Sequence, residues 1–137
     1  MEFELAKKYE DVRLTPELRS MFTDIVMGDE ATLKTFLAIA KHTTNESIGI
    51  TIKQIIELVK IDRRGKRGHT FETIHSNIDR KHAERVVDKL LSMGLCYYHA
   101  IPPSKLLKLT IRGLEVAGEI KVRLEKAKKG ADSLVQA

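Results

Sequence analysis

Residues 95–110 restrict the fold of this chain more than any other segment. The stretch LCYYHAI (residues 95–101) is aromatic and β-branched, which predicts a strand. The stretch PPSK (residues 102–105) predicts a turn, because proline cannot serve the interior of a sheet. LLKLT (residues 106–110) then predicts the returning strand. Helical segments lie on both sides, so we predict a mainly α fold with a small β-hairpin, in the α+β class.

Apolar residues at helical spacing predict five helices around this hairpin. Thr15 is a candidate N-cap with Pro16 at the first helical position, and Gly28 ends that helix. Residues 48–51 are a candidate for a very short strand before the third helix. The predicted helices are residues 15–28, 29–43, 51–59, 79–93 and 110–129.

The length of 137 residues suits one domain with its own core. We expect residues 1–28 to form an N-terminal arm and helix, as a candidate dimerisation element. Residues 29–129 form the main domain, with an insert at 62–76 and the C-terminal helix at 110–129. Residues 130–137 are expected to be a flexible tail.

The insert begins with DRRGKRGHTF (residues 62–71), which has four basic residues and two glycines and is predicted to be a loop. FETIHS (residues 71–76) is a candidate for a short turn of helix. From Lys60 to Lys89 the sequence has nine Lys or Arg and five Asp or Glu. The difference, 9 − 5 = +4, is most of the net charge of +5. Clustered positive charge indicates a phosphate-bearing partner. The alternative is a solvated loop beside a charged helix face.

Two stretches resemble winged helix-turn-helix DNA-binding proteins, namely MarR-type and related regulators. In VVDKLLSMGLCYYH, the residues Leu90, Gly94 and Leu95 match the end of the recognition helix and the start of the wing. In LKLTIRGLEVAGEI, a Leu-Thr pair followed three residues later by glycine matches the exit from the wing. The resemblance covers residues 31–120. It implies a winged helix-turn-helix with an extra N-terminal helix, a long C-terminal helix and double-stranded DNA as partner.

A helix in the major groove presents its N-terminal half to the base edges. On helix 79–93 we expect Arg85 to read bases, because its guanidinium offers a bidentate fork to guanine. Ser76 and Asn77 are expected to cap this helix and donate to phosphate. The insert would supply the phosphate contacts that the charge-poor wing lacks. The alternatives for the insert are a disordered loop or a contact with RNA. The candidate DNA-binding residues are Arg63, Arg64, Lys66, Arg67, Ser76, Asn77, Arg80, Lys81, His82, Arg85 and Lys105.

Those side chains have two plainer interpretations. The helix residues are also consistent with a solvated face, and the wing with a hairpin that only closes its sheet.

The apolar stripes of the first and last helices predict a homodimer, since such proteins commonly match two half-sites. Alternatively, both helices fold onto their own chain. The candidate dimerisation residues are Leu18, Phe22, Ile25, Leu114, Ala117, Ile120 and Leu124.

Other chemistry has little support in the sequence. We find no phosphate-binding loop, nucleophile elbow or paired-carboxylate pattern, so we expect no enzyme and no cofactor. The spacing of the metal-ligand candidates His69, His75, His82, Cys96 and His99 does not match a zinc site. No apolar run is long enough for a bilayer, and a single cysteine fits a reducing compartment. We therefore expect a cytoplasmic, nucleoid-associated protein without a membrane partner.

Three functions remain open from the sequence. The first is a dimeric transcriptional regulator that binds a specific duplex sequence. The second is a plasmid or phage partition or replication protein that binds repeated DNA sites. The third is a winged-helix protein-interaction module without DNA binding. No small-molecule effector is indicated.

Overall fold

The computed structural model describes residues 1–43, 48–67 and 70–136. Within these ranges the chain is mainly helical, with two small antiparallel hairpins. The helices are α1 (Phe3–Lys8), α2 (Pro16–Met27), α3 (Glu30–Lys41), α4 (Ile52–Leu58), α5 (Arg80–Ser92) and α6 (Ile111–Gln136). The strands are β1 (Lys60–Arg67), β2 (Thr70–Asn77), β3 (Cys96–Ile101) and β4 (Ser104–Leu109).

Each of the five helices predicted from the sequence begins at a capping side chain, which lies at or next to the predicted first residue. Each cap accepts a hydrogen bond from a backbone N–H that has no partner inside the helix. At α4 the cap is reciprocal, because the Gln54 side chain also accepts from the backbone of Thr51. The capping residues are Thr15, Asp29, Thr51, Asp79 and Thr110.

The core lies where α3, α4 and α5 meet the hairpin β3–β4 and one face of α6. Phe36, Ile55 and Leu90 are fully buried there, together with Leu107 and Ile120. Each such side chain contributes about 1.5–3 kcal/mol through its removal from water. This apolar cluster fixes the position of α5 relative to the hairpin β3–β4.

The hairpin β3–β4 confirms the predicted strand, turn and returning strand. Its register pairs Cys96 with Leu109 and Ile101 with Ser104. The predicted short strand at 48–51 contributes one antiparallel bridge, Ile50 to Leu107. Gly49 precedes this bridge with a φ of 114°, and a Cβ there would lie 2.9 Å from the Leu107 carbonyl oxygen. Glycine therefore allows the segment before α4 to join β4.

The basic insert is a second hairpin, so the predictions of a loop and of a helical turn at 71–76 were wrong. Strands β1 and β2 pair from Lys60 opposite Asn77 to Arg67 opposite Thr70. The hairpin therefore extends beyond the predicted insert at both ends. The second strand, TFETIHSN, contains the aromatic and β-branched residues that favour strands. Buried Ile61 and Ile78 join the base of this hairpin to the core.

The two ends of the chain also differ from the predictions. The N-terminal arm contains α1, and Glu2 forms a parallel bridge with Tyr98 of β3. Helix α6 continues to Gln136, past the predicted end at 129. Gly130 does not stop it, because a glycine inside a helix costs only about 1 kcal/mol relative to alanine.

Candidate nucleic-acid interface

Helix α5 has one buried face and one basic, exposed face. Asp79 caps the helix, with its Oδ1 accepting from the His82 N–H at 2.8 Å. The buried face consists of Ala83, Val86, Val87 and Leu90. Lys81 and Arg85 are exposed on the opposite side, one turn apart, and have no ion pair with another described residue. These two cations are therefore free to meet an anionic partner.

Arg80 and His82 are less available than Lys81 and Arg85. The Arg80 guanidinium lies 3.5 Å from the Glu84 carboxylate, an exposed pair worth about 0.3–0.5 kcal/mol. His82 is half-buried near the start of α3. A hydrogen bond from the Thr32 side chain lowers the pKa of Asp29, and the charges of Lys89 and His82 lower it further. His82 therefore faces Asp29 and is the weaker candidate for a base contact.

Asn77 and Ser76 do not cap α5, contrary to the prediction, because Asp79 occupies that position. The Asn77 Nδ2 donates to the carbonyl oxygens of Ile56 at 2.8 Å and Glu57 at 3.3 Å, so it closes the end of α4. The Ser76 Oγ is buried and has no hydrogen-bond partner among the described residues. The Asn77 amide is thus engaged with α4, and burial keeps the Ser76 hydroxyl from a phosphate in this arrangement.

The base of the hairpin β1–β2 is fixed against α3. The Asp62 N–H donates to Glu30 Oε1 at 2.7 Å, and the Lys34 Nζ donates to the Lys60 carbonyl oxygen at 2.8 Å. Within the hairpin, the His75 Nδ1 lies 2.8 Å from Asp62 Oδ1. These contacts hold the base of the hairpin beside the start of α5, which follows β2 directly.

The predicted phosphate-contacting residues lie further along β1. They are Arg63, Arg64, Lys66 and Arg67, whose side chains are outside the described part of the chain. At about 3.4 Å per residue, β1 extends on the order of 25 Å. That length exceeds the width of the major groove, about 12 Å. The backbone of β1 is therefore long enough to cross a major groove.

The turn of the hairpin β3–β4 lies beside α5 and the start of α4. A cleft of about 550 Å³ separates these elements, lined by Arg80, Glu84, Asp88 and Lys105 among others. Lys105 is exposed, with its Nζ 4.6 Å from the centroid of the Tyr98 ring. Lys53 also lines this cleft and was missed by the sequence analysis. Lys53 lies in the first turn of the predicted helix 51–59, and this position is the sequence feature that could have identified it as a site residue.

The candidate dimerisation residues divide into buried and exposed groups. Ile120 is fully buried in its own core, so its prediction as an interface residue was wrong. Phe22 and Ala117 are partly buried against the same core. The two helices pack on each other within the chain, where Arg123 bonds to Asp24, which explains this burial. The exposed candidates are Leu18, Ile25, Leu114 and Leu124.

Among the described residues, no group of three or more His, Cys, Asp or Glu side chains could hold a metal ion. His69 lies outside the described residues. The Cys96 thiol is buried, which raises its pKa to about 12. The His99 ring stacks on Phe3 with centroids 4.3 Å apart. Both side chains are therefore part of the packing around β3.

The described helices include none with the length and apolar character required to cross a bilayer. No protein-family model, curated protein or solved structure matches this chain.

Proposed function

We propose that this protein is a sequence-specific double-stranded DNA-binding protein and acts as a dimeric transcriptional regulator. The observation that carries the proposal is the basic, exposed face of α5, directly after a hairpin whose first strand holds five basic residues. On that face Lys81 and Arg85 have no ion pair with a described residue. In this proposal α5 enters the major groove, where Arg85 reads bases.

The surrounding elements fit a winged helix-turn-helix, which is part of the proposal. Helices α3, α4 and α5 share one core, and the hairpin β3–β4 follows α5 directly. The bridge from Ile50 to Leu107 places the segment before α4 next to the proposed wing. In such a fold the helix after the turn is the recognition helix, which here is α5.

The hairpin β1–β2 would supply most of the phosphate contacts. The turn of the proposed wing has Lys105, but Glu84 and Asp88 line the same cleft and repel phosphate. The four basic residues at positions 63–67 of β1 have only Asp62 and Glu72 as acidic neighbours in the hairpin sequence. Phosphate contacts from this strand would make affinity depend strongly on salt.

A dimer is proposed from the exposed stripe on α2. Leu18, Met21 and Ile25 lie three and four residues apart, so they share one face of the helix. Leu114 is an exposed apolar residue on α6, which packs on α2. A two-fold axis at this surface would present two α5 helices to neighbouring half-sites.

A protein-interaction module is the second candidate function. It is favoured by the mixed charge of the cleft beside α5, where Glu84 and Asp88 alternate with Arg80 and Lys105. A surface of this kind suits a polar protein partner as well as a nucleic acid.

Binding to a random duplex at two salt concentrations tests the proposal. With about four phosphate contacts, affinity should fall roughly a hundredfold for a fourfold increase in salt. Binding that is undetectable, or that ignores salt, would contradict DNA binding and favour the interaction module. Sequencing of genomic DNA recovered with the protein then separates the DNA roles. Scattered promoters support a regulator, whereas repeated sites at one replication or partition locus support the alternative role.

A further inference from the structure

A second surface of the protein combines apolar and basic side chains in a groove along α3. Two adjoining cavities of about 590 Å³ each share Leu37 and Lys41 of α3. The first lies between α3, the end of α4 and the base of the hairpin β1–β2, and the second lies between α3 and α6. None of the described residues that line this groove belongs to α5 or to the turn of β3–β4.

The floor of the groove has exposed leucines from three helices. Leu37, Leu58 and Leu124 have relative exposures of 36%, 57% and 46%. Leu58 and Leu37 line the first cavity, whereas Leu37 and Leu124 line the second. Contiguous exposed apolar surface with a polar rim is typical of an interaction site.

The rim of the groove is strongly basic. Its lysines are Lys34, Lys41, Lys60, Lys121 and Lys128. Glu125 is the one acidic residue among the described lining residues. Lys34 is already engaged with the Lys60 carbonyl oxygen and lies 3.4 Å from Glu30. Lys41, Lys121 and Lys128 form no ion pair with any described residue, so they are available to a partner.

These properties select among the possible occupants. A DNA backbone would match the lysines but would leave the three leucines against polar phosphates and sugars. A second copy of the chain, placed by a two-fold axis, would bring one set of lysines against the other at an electrostatic cost. An amphipathic helix with acidic flanks satisfies both features, since its apolar residues fill the floor and its carboxylates meet the rim.

We propose that this groove binds an acidic amphipathic helix of a partner protein. The probe is a fluorescein-labelled peptide of about 18 residues, or five turns, with a leucine stripe flanked by glutamates. Two control peptides replace the glutamates with lysines or the leucines with serines. Fluorescence anisotropy should show binding of the first peptide and markedly weaker binding of both controls.

Matched variants locate the binding. Lys41→Glu on α3 should weaken peptide binding about tenfold or more, whereas Lys126→Glu, the same change on α6 outside the groove, should not. Leu37→Ser should weaken binding more than Val122→Ser, an exposed change outside the groove. Circular dichroism and thermal melting verify that each variant folds. If a variant is unfolded, Lys121→Glu and Leu124→Ser provide the same comparison.

Several results would overturn the proposal. They are equal binding of the acidic and basic peptides, no binding of the acidic peptide, or equal losses in Lys41→Glu and Lys126→Glu. A change in oligomeric state in Leu37→Ser with unchanged peptide binding would assign the groove to self-association instead. The two lysine variants should bind duplex DNA equally, so this test is independent of the proposed DNA-binding function.

Discussion

Arg112 donates hydrogen bonds to Gly94, just after α5, and to the N-terminal arm, and so joins these two segments. Its Nε donates to the Gly94 carbonyl oxygen at 3.1 Å, and its Nη1 donates to the carbonyl oxygens of Tyr9 at 3.0 Å and Val12 at 2.8 Å. Arg112 is 7% exposed, so one buried guanidinium donates to all three carbonyl groups. The Gly94 carbonyl also accepts from Thr110 Oγ1, and the Tyr9 carbonyl also accepts from the Val12 N–H. The segment after α5, the start of α6 and the arm are therefore one structural unit.

Replacing Arg112 with methionine should lower the free energy of unfolding by about 3 kcal/mol, because three hydrogen bonds from a charged donor are lost. Arg112→Lys keeps the charge but has no planar fork, so it should recover only part of this loss. Urea denaturation of both variants measures the difference. A loss below about 1 kcal/mol for Arg112→Met would show that water replaces these bonds.

Two glycines of α6 provide a matched pair. A Cβ on Gly113 would lie 2.1 Å from the Leu95 carbonyl oxygen, whereas a Cβ on Gly118 meets nothing within 4 Å. Gly113→Ala should destabilise the protein by about 1–3 kcal/mol through overpacking. Gly118→Ala should stabilise it by about 0.5–1 kcal/mol, because alanine favours the helix. Thermal unfolding of the two variants should show melting temperatures shifted in opposite directions, and shifts in the same direction would contradict the packing of α6 on Leu95.

Cys96 predicts a loss of stability at alkaline pH. Burial raises the pKa of its thiol from 9.0 to about 12. Below pH 9.0 the thiol is protonated in both folded and unfolded chains, so its contribution to stability is fully present. Above that pH the unfolded chain loses the proton first, and stability falls as the pH rises toward about 12. Chemical denaturation at several pH values measures how steeply the free energy of unfolding falls with pH. The slope should be shallower in Cys96→Ala, and equal slopes would show that the thiol is not the titrating group.

The exposed stripe on α2 predicts the oligomeric state. Ile25→Asp should weaken the dimer, because it introduces a charge into the proposed interface. Ile101→Asp makes the same change at the exposed end of β3 and should leave the dimer intact. Sedimentation velocity over a range of concentrations compares the two variants. A wild-type protein that stays monomeric would contradict the proposed interface.

Much of the helical framework could be predicted from local sequence. Thr15, Asp29, Thr51 and Asp79 cap helices because each is followed by suitable N–H groups, a relationship contained within four residues. Gly94 ends α5 with a φ of 74°, a conformation that also depends on local geometry. The strands β3 and β4 follow from their composition and the proline turn.

The predictions from the sequence were wrong where contacts between residues far apart in the chain determine the structure. The basic composition of residues 62–71 indicated a loop, but the hairpin is anchored by contacts with Glu30 and Lys34, about thirty residues earlier in the chain. Asn77 sits near a helix start in sequence yet bonds to the end of α4. Ile120 and Leu124 belong to the same apolar stripe, and only the packing of α6 buries one and exposes the other.

The most direct test of the proposed recognition compares Arg85→Ala and Arg64→Ala on a duplex selected from genomic DNA and on a random duplex. Arg85→Ala should weaken binding to the selected site by about 1–3 kcal/mol and affect random DNA much less, because Arg85 is assigned to the bases. Arg64→Ala should weaken both duplexes alike, because β1 is assigned to phosphates. Arg13→Ala, an exposed change in the N-terminal arm, is the control for loss of one charge. Fluorescence anisotropy should separate the two patterns, and equal losses on both duplexes for Arg85→Ala would contradict base recognition by α5.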